Sequence, residues 1–147
     1  MKMGLISCTK LKADHRCTAE EMYSPSDLYS KALEYCKNHY DKVMILSAKH
    51  GALELSAVID PYDLTLNNMP SKERKKWAAQ VFEQLKGIDA SQIFFHTGKK
   101  YREHLIPLLE IQGKQCTIPL KGMGIGQQKA WYIKNGVMQN GKNRRNE

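Results

Sequence analysis

Ser47-Ala48-Lys49-His50-Gly51 ends an apolar run in small, cationic and glycyl residues, and Asp60-Pro61-Tyr62-Asp63-Leu64-Thr65-Leu66 follows closely. An imidazole and an ammonium are thereby set near two carboxylates. Such groups suit the cleavage of a bond that builds positive charge on one fragment and negative charge on the other. The N-glycosidic bond of a nucleoside is of this kind. Asp63 or Asp60 would orient water or stabilise the sugar cation, His50 and Lys49 would meet the departing base, and Tyr62 or Tyr23 would stack on it. A lone histidine at a turn is ordinarily a polar surface residue. Its position between Lys49 and Gly51, with two aspartates following, favours a functional role for His50.

Three further segments carry a small residue beside a cation: Ser7-Cys8-Thr9-Lys10, His96-Thr97-Gly98-Lys99 and Lys121-Gly122-Met123-Gly124-Ile125-Gly126. Free backbone amides and positive charge are the means by which α/β domains hold phosphates. Ser7, Cys8, Lys10, Ser47, Lys49, His96, Gly98, Gly122 and Gly124 are therefore candidate ligand contacts, with Tyr23 and Tyr62. Gly122, Gly124 and Gly126 form G-x-G-x-G rather than the dinucleotide fingerprint and follow the final strand, so they are either a ligand contact or a flexible turn. No Walker A sequence is present. Cys8 is either a nucleophile activated by Lys10 and Lys12 or, more commonly at a strand end, a small buried residue. His96 is either a site residue or a half-buried structural histidine beside Phe94 and Phe95. His15, His39 and His104 have no such placement, and without H-x-x-x-H or H-x-x-E spacing no metal site is expected, nor any cofactor.

Positioning these residues requires strands that end together. Apolar or β-branched runs predict four strands near residues 2 to 8, 42 to 47, 92 to 96 and 115 to 120. Between them, Ser24-Pro25-Ser26-Asp27 starts a helix with Leu28, Ala32, Leu33 and Cys36 on its buried face. Trp77, Val81 and Leu85 mark a second helix whose first turns are crowded by Lys72, Arg74, Lys75 and Lys76. Residues 99 to 112 form a third, kinked or divided by Pro107, and Gln127 to about Asn135 a fourth. Residues 10 to 23 lack a clear period and read as a lid over the sheet's carboxyl edge. Alternating strands and helices predict a three-layer α/β domain over residues 1 to 136: a mainly parallel four-stranded sheet in the order 2-1-3-4, helices on both faces and the ligand at the carboxyl ends. Residues 137 to 147 read as a basic, disordered tail.

The chain has 147 residues, 41% of them hydrophobic, enough for one core. Cys8, Cys17, Cys36 and Cys116 form no CxxC pair and read as thiols in a reducing compartment. No apolar stretch suits a signal peptide or a membrane span, so a soluble, cytoplasmic protein without a membrane partner is expected. A formal charge of +8 favours a polyanionic partner, a nucleotide, nucleoside or nucleic acid, although solubility alone also accounts for it. Nothing in the sequence fixes the oligomeric state.

Ser7-Cys8-Thr9-Lys10-Leu11-Lys12, Tyr23 before a helix, Leu46-Ser47-Ala48-Lys49-His50-Gly51 and Pro61-Tyr62-Asp63-Leu64-Thr65-Leu66 together resemble a family of uncharacterised bacterial and phage domains of unknown function. That family is distantly similar to YaaA-type proteins and to the uracil-DNA glycosylase-like fold. The resemblance implies a small parallel sheet and an N-glycosidase ancestry. Asp60-Pro61-Tyr62 is similar to the glycosylase water-activating loop but follows the second strand rather than the first, and the glycosylase histidine motif after the last strand is absent. No catalytic assignment transfers. The resulting expectation is an enzyme that cleaves or exchanges an N-glycosidic bond. The alternatives are a non-enzymatic module that grips nucleic acid or nucleotide, and a nucleotide-directed transferase.

Overall fold

The computed structural model describes residues 1–138, and residues 139–147 lie outside the described residues. Its elements are β1 (Lys2–Ser7), β2 (Cys17–Thr18), α1 (Ala19–Met22), α2 (Asp27–His39), β3 (Lys42–Ser47), β4 (Gly51–Glu54), β5 (Val58–Ile59), α3 (Ser71–Leu85), β6 (Gln92–His96), α4 (Leu105–Ile111), β7 (Gln115–Thr117) and α5 (Ile125–Lys134). The main sheet has five strands in the order β4-β3-β1-β6-β7, where four were expected. β3, β1, β6 and β7 run parallel, while β4 pairs antiparallel with β3, Ser47 opposite Gly51 and Met44 opposite Glu54. The sheet is therefore mixed. Gly51, at φ +73°, adopts a backbone that a side chain would strain, and this reverses the chain into the added edge strand.

Crossover handedness distributes the helices. The step from β1 to β3 moves one way along the sheet and the steps to β6 and β7 move the other, so right-handed connections place α2 on one face and α3 and α4 on the opposite one. α5 returns to pack on α2, and α3 packs on α4 and β4. Leu5, Ile45, Leu46, Ile93 and Phe95 are buried between these layers.

Local differences from the expected elements have simple causes. The cap of α2 is Ser26, whose hydroxyl accepts from Tyr29 N–H at 3.2 Å, rather than Ser24. Ser24 and Ser26 N–H groups instead close turns onto Glu21 and Tyr23 at the end of α1. The segment 99 to 112 is divided into a 3-10 turn, Lys99–Tyr101, and α4, where Pro107 stands in the first turn and removes an N–H that has no helical partner. The expected lid holds β2 and α1, and β2 pairs with β5. Val137 is 2% exposed and Met138 N–H donates to Glu34, so the first two residues of the expected tail belong to the packed domain. Among the described residues no helix is long and apolar enough to cross a membrane.

One close approach yields a sharp expectation. A Cβ on Gly4 of β1 would meet the Tyr40 ring, which stacks on Phe94 at 4.6 Å and cannot retreat freely. Gly4→Ala should therefore destabilise the fold by about 1–3 kcal/mol through overpacking. Thermal unfolding at neutral pH checks it, and an unchanged midpoint would mean that the ring yields.

Candidate functional site

At the carboxyl end of the sheet, a cleft of about 850 Å³ is lined by Cys8, Lys10, Lys12, Asp63, Thr65 and Tyr101, with Asp27 and Lys129 contributing further lining. Leu11, Leu64 and Ile125 also line it, at 60%, 40% and 64% exposure, and give it apolar surface open to solvent. Asp27 is engaged by Lys31 at 2.7 Å and Lys129 at 3.4 Å, and these contacts, led by the Lys31 hydrogen bond, hold its carboxyl below the ordinary value. Asp63 has no ion pair or hydrogen bond among the described residues. It is an exposed carboxylate that lines the cleft together with lysines 10 and 12, which likewise lack a carboxylate partner among the described residues.

The loop that presents Asp63 is fixed by buried hydroxyls. Ser47 Oγ accepts the N–H groups of Lys49 at 3.2 Å and His50 at 3.1 Å, which occupies both its lone pairs, so its proton goes to Tyr62 Oη at 2.7 Å. Tyr62 Oη in turn bonds Tyr23 Oη at 2.7 Å. Burial pushes the Tyr62 hydroxyl far above its ordinary range and that of Tyr23 up to about 12, so both remain protonated at neutral pH. On the far side of Asp63, Tyr101 Oη accepts from Leu66 N–H at 3.3 Å and Cys8 Sγ–H at 3.3 Å, which directs its own proton to Thr65 Oγ1 at 3.4 Å. Trp77 donates to Ser47 O at 2.9 Å and meets the Tyr101 ring edge-on. The Pro61 to Leu66 strap is thus held on both sides of its carboxylate.

The structure disperses the other candidates. Lys49 is exposed and does not line the cleft. His50 packs edge-on against the Tyr62 ring at 5.6 Å and its Nε2 is buried without a hydrogen-bond partner. Burial, then the neighbouring Lys49, lowers its pKa, and it is neutral at pH 7. Asp60 pairs with Arg16 at 3.0 Å and lies outside the cleft lining. Tyr23 is fully buried and Tyr62 carries Lys12 Nζ over its ring at 4.7 Å, so neither ring is a free stacking surface. Ser7 Oγ accepts Gly98 N–H at 3.3 Å, tying β1 to β6. Gly124 caps α5, its N–H donating to Gln127 at 2.8 Å. His96, Gly98 and Gly122 line a second, smaller cavity. The expected single pocket is therefore two.

His96 is held inside the fold. Its Nε2 bonds Tyr40 Oη and its Nδ1 bonds Tyr132 Oη, both at 2.7 Å. Each hydroxyl can donate or accept, so the pair of bonds accommodates a neutral ring that donates through one nitrogen and accepts through the other. Burial, reinforced by His39, lowers its pKa to about 4. In the unfolded chain the ring protonates near its ordinary value of about 6.5, so between there and pH 4 the unfolded state binds the extra proton and stability falls as pH falls. The loss amounts to about 3 kcal/mol once the folded ring has titrated. An NMR titration should show the His96 ring neutral until pH approaches 4, and a midpoint near 6.5 would contradict the buried bridge.

Lys12, Thr65, Trp77 and Tyr101 complete the site. Of these only Lys12 was legible, as a cation beside Cys8, while the burial of Tyr101 that brings its hydroxyl to the cleft is a tertiary effect. Among the described residues no group of three or more His, Cys, Asp or Glu could hold a metal ion. A family model described as "Family of unknown function (DUF6884)" matches residues 3–134. No curated protein and no solved structure matches the chain.

Proposed function

The chain belongs to that family of unknown function, and we propose that its large cleft takes a nucleoside, nucleotide or nucleic-acid base and cleaves or exchanges the N-glycosidic bond. The observation that carries this reading is the exposed Asp63 sharing an 850 Å³ cleft with Lys10 and Lys12 and with the apolar surface of Leu11, Leu64 and Ile125. As the bond from the anomeric carbon to the base nitrogen breaks, the sugar becomes cationic and the base anionic. Asp63 stabilises the cation or orients the water whose oxygen bonds to that carbon, and a proton released from the water reaches the base. The lysines attract phosphate or meet the negative charge on the base, a role that falls to them because Lys49 and His50 lie outside the cleft. The family that the S-A-K-H-G and P-Y-D-x-T-L segments resemble is distantly similar to the uracil-DNA glycosylase-like fold, an ancestry in keeping with this chemistry although no catalytic residue transfers from it.

A second reading, a nucleic-acid-binding module without turnover, is favoured by the lysines that follow the strands. Lys10, Lys12, Lys49, Lys99 and Lys121 follow the carboxyl ends of β1, β3, β6 and β7, and none pairs with a carboxylate among the described residues. Incubation with nucleosides, nucleotides and short oligonucleotides, followed by chromatography for free base, separates the two. The enzyme releases base. The module binds with a steep salt dependence and returns every ligand intact.

A further inference from the structure

The second cavity, about 210 Å³, lies at the carboxyl ends of β6 and β7 and shares no lining residue with the cleft. The 3-10 turn divides them: Tyr101 lines the cleft, while Lys99 and Arg102 line the cavity. No carboxylate lines it. Arg102 is half-buried and has no ion pair among the described residues; its Nη1 donates to Thr97 O at 2.6 Å, leaving the rest of its planar fork of donors. The adjacent carboxylate, Glu103, is tied to Arg74 at 3.1 Å and to His104 at 3.4 Å. Partial burial lowers the Arg102 pKa, and the charge of nearby Glu103 offsets that only in part. In the same wall, Thr97 Oγ1 is buried and has no hydrogen-bond partner. Nearly all buried polar groups are paired, so an orphaned hydroxyl beside an unpaired guanidinium signals a missing acceptor. His96 does not supply it, since both its nitrogens are bonded to tyrosines.

We propose that this cavity is a binding site for a phosphoryl group, held by the Arg102 guanidinium, the Lys99 ammonium and the Thr97 hydroxyl. A tetrahedral dianion fits each observation. Its oxygens accept in pairs from the planar fork, accept the Thr97 proton and offset two cations that have no carboxylate in the cavity wall. The group is either free inorganic phosphate or the terminal phosphate of a nucleotide, and it is bound whether or not the cleft performs the proposed reaction.

Titration with inorganic phosphate at constant ionic strength, followed by calorimetry, tests the site. The wild type should bind saturably, Arg102→Gln should weaken binding tenfold or more, and Lys75→Gln, exposed on α3 and lining neither cavity, should leave it unchanged. Thr97→Val provides a second variant should Arg102→Gln fold poorly. It should raise the unfolding midpoint without phosphate, by removing the orphaned hydroxyl, and lower phosphate affinity several-fold. A residue of purely structural role would not move the two in opposite directions. A nucleoside 5′-monophosphate that competes with phosphate identifies a nucleotide terminus as the ligand, and phosphate binding without competition identifies the free ion. Absence of saturable binding, or binding indifferent to both Arg102→Gln and Thr97→Val, would overturn the assignment.

Discussion

Asp63→Asn is expected to slow base release by on the order of a hundredfold to a thousandfold while ligand affinity stays nearly unchanged. The amide preserves size and leaves the lysines in place, so the ground-state attraction for phosphate or base survives. What is lost is a negative charge opposite the sugar, and that charge matters only as the sugar becomes cationic. An effect confined to the transition state lowers kcat and kcat/KM together. His50→Ala should act more weakly, because the His50 side chain meets the strap through its edge-on contact with the Tyr62 ring, and its N–H bond to Ser47 survives the change. A loss of affinity in Asp63→Asn with turnover retained would reassign the carboxylate to binding.

The second large effect concerns stability. Ser47→Ala removes one buried oxygen that serves Lys49 N–H, His50 N–H and Tyr62 Oη. Each group left unsatisfied costs about 1–3 kcal/mol, and the total should reach roughly 3 kcal/mol because the turn can expose part of what it loses. Tyr62→Phe severs the same chain at its next link and should cost about 1 kcal/mol. The double variant should be less destabilised than the sum, since both changes break one hydrogen bond. Urea denaturation measures all three. A change below about 0.5 kcal/mol for Ser47→Ala, the range of an ordinary surface substitution, would show that the chain is not what secures the strap.

Three of the parallel strands were legible because their apolar runs are consecutive and their crossovers are helical, whereas β7, expected over 115 to 120, is only Gln115–Thr117 and largely exposed. The edge strand was legible in principle: Ala52-Leu53-Glu54 alternates after a glycine, but a strand of four residues is too short for the alternation to stand out. β2 and β5 have two residues each, too few for a period to be visible. Site residues were harder for a physical reason. Placement at a strand's carboxyl end does not specify a face, and successive side chains alternate. His96 is the last residue of β6 and turns into the layer of Tyr40 and Tyr132, whereas Cys8, just beyond β1, reaches the cleft. His50 was read as a partner of Asp63 because the two are close in sequence, yet the hairpin that pairs Ser47 with Gly51 holds it behind Tyr62. Two predicted neighbours were thus separated by a turn. Asp63 itself, one of the two carboxylates expected at the site, does line the cleft.

The central claim is most directly tested by following the nucleoside, nucleotide or oligonucleotide that binds best in the cleft, with the wild-type chain at a small fraction of the ligand concentration. Bond cleavage requires free base and the corresponding sugar product to appear in equal amounts, over many turnovers. Recovery of the ligand intact after prolonged incubation, despite saturable binding that Lys10 and Lys12 control, would contradict the claim and leave a binding module in its place.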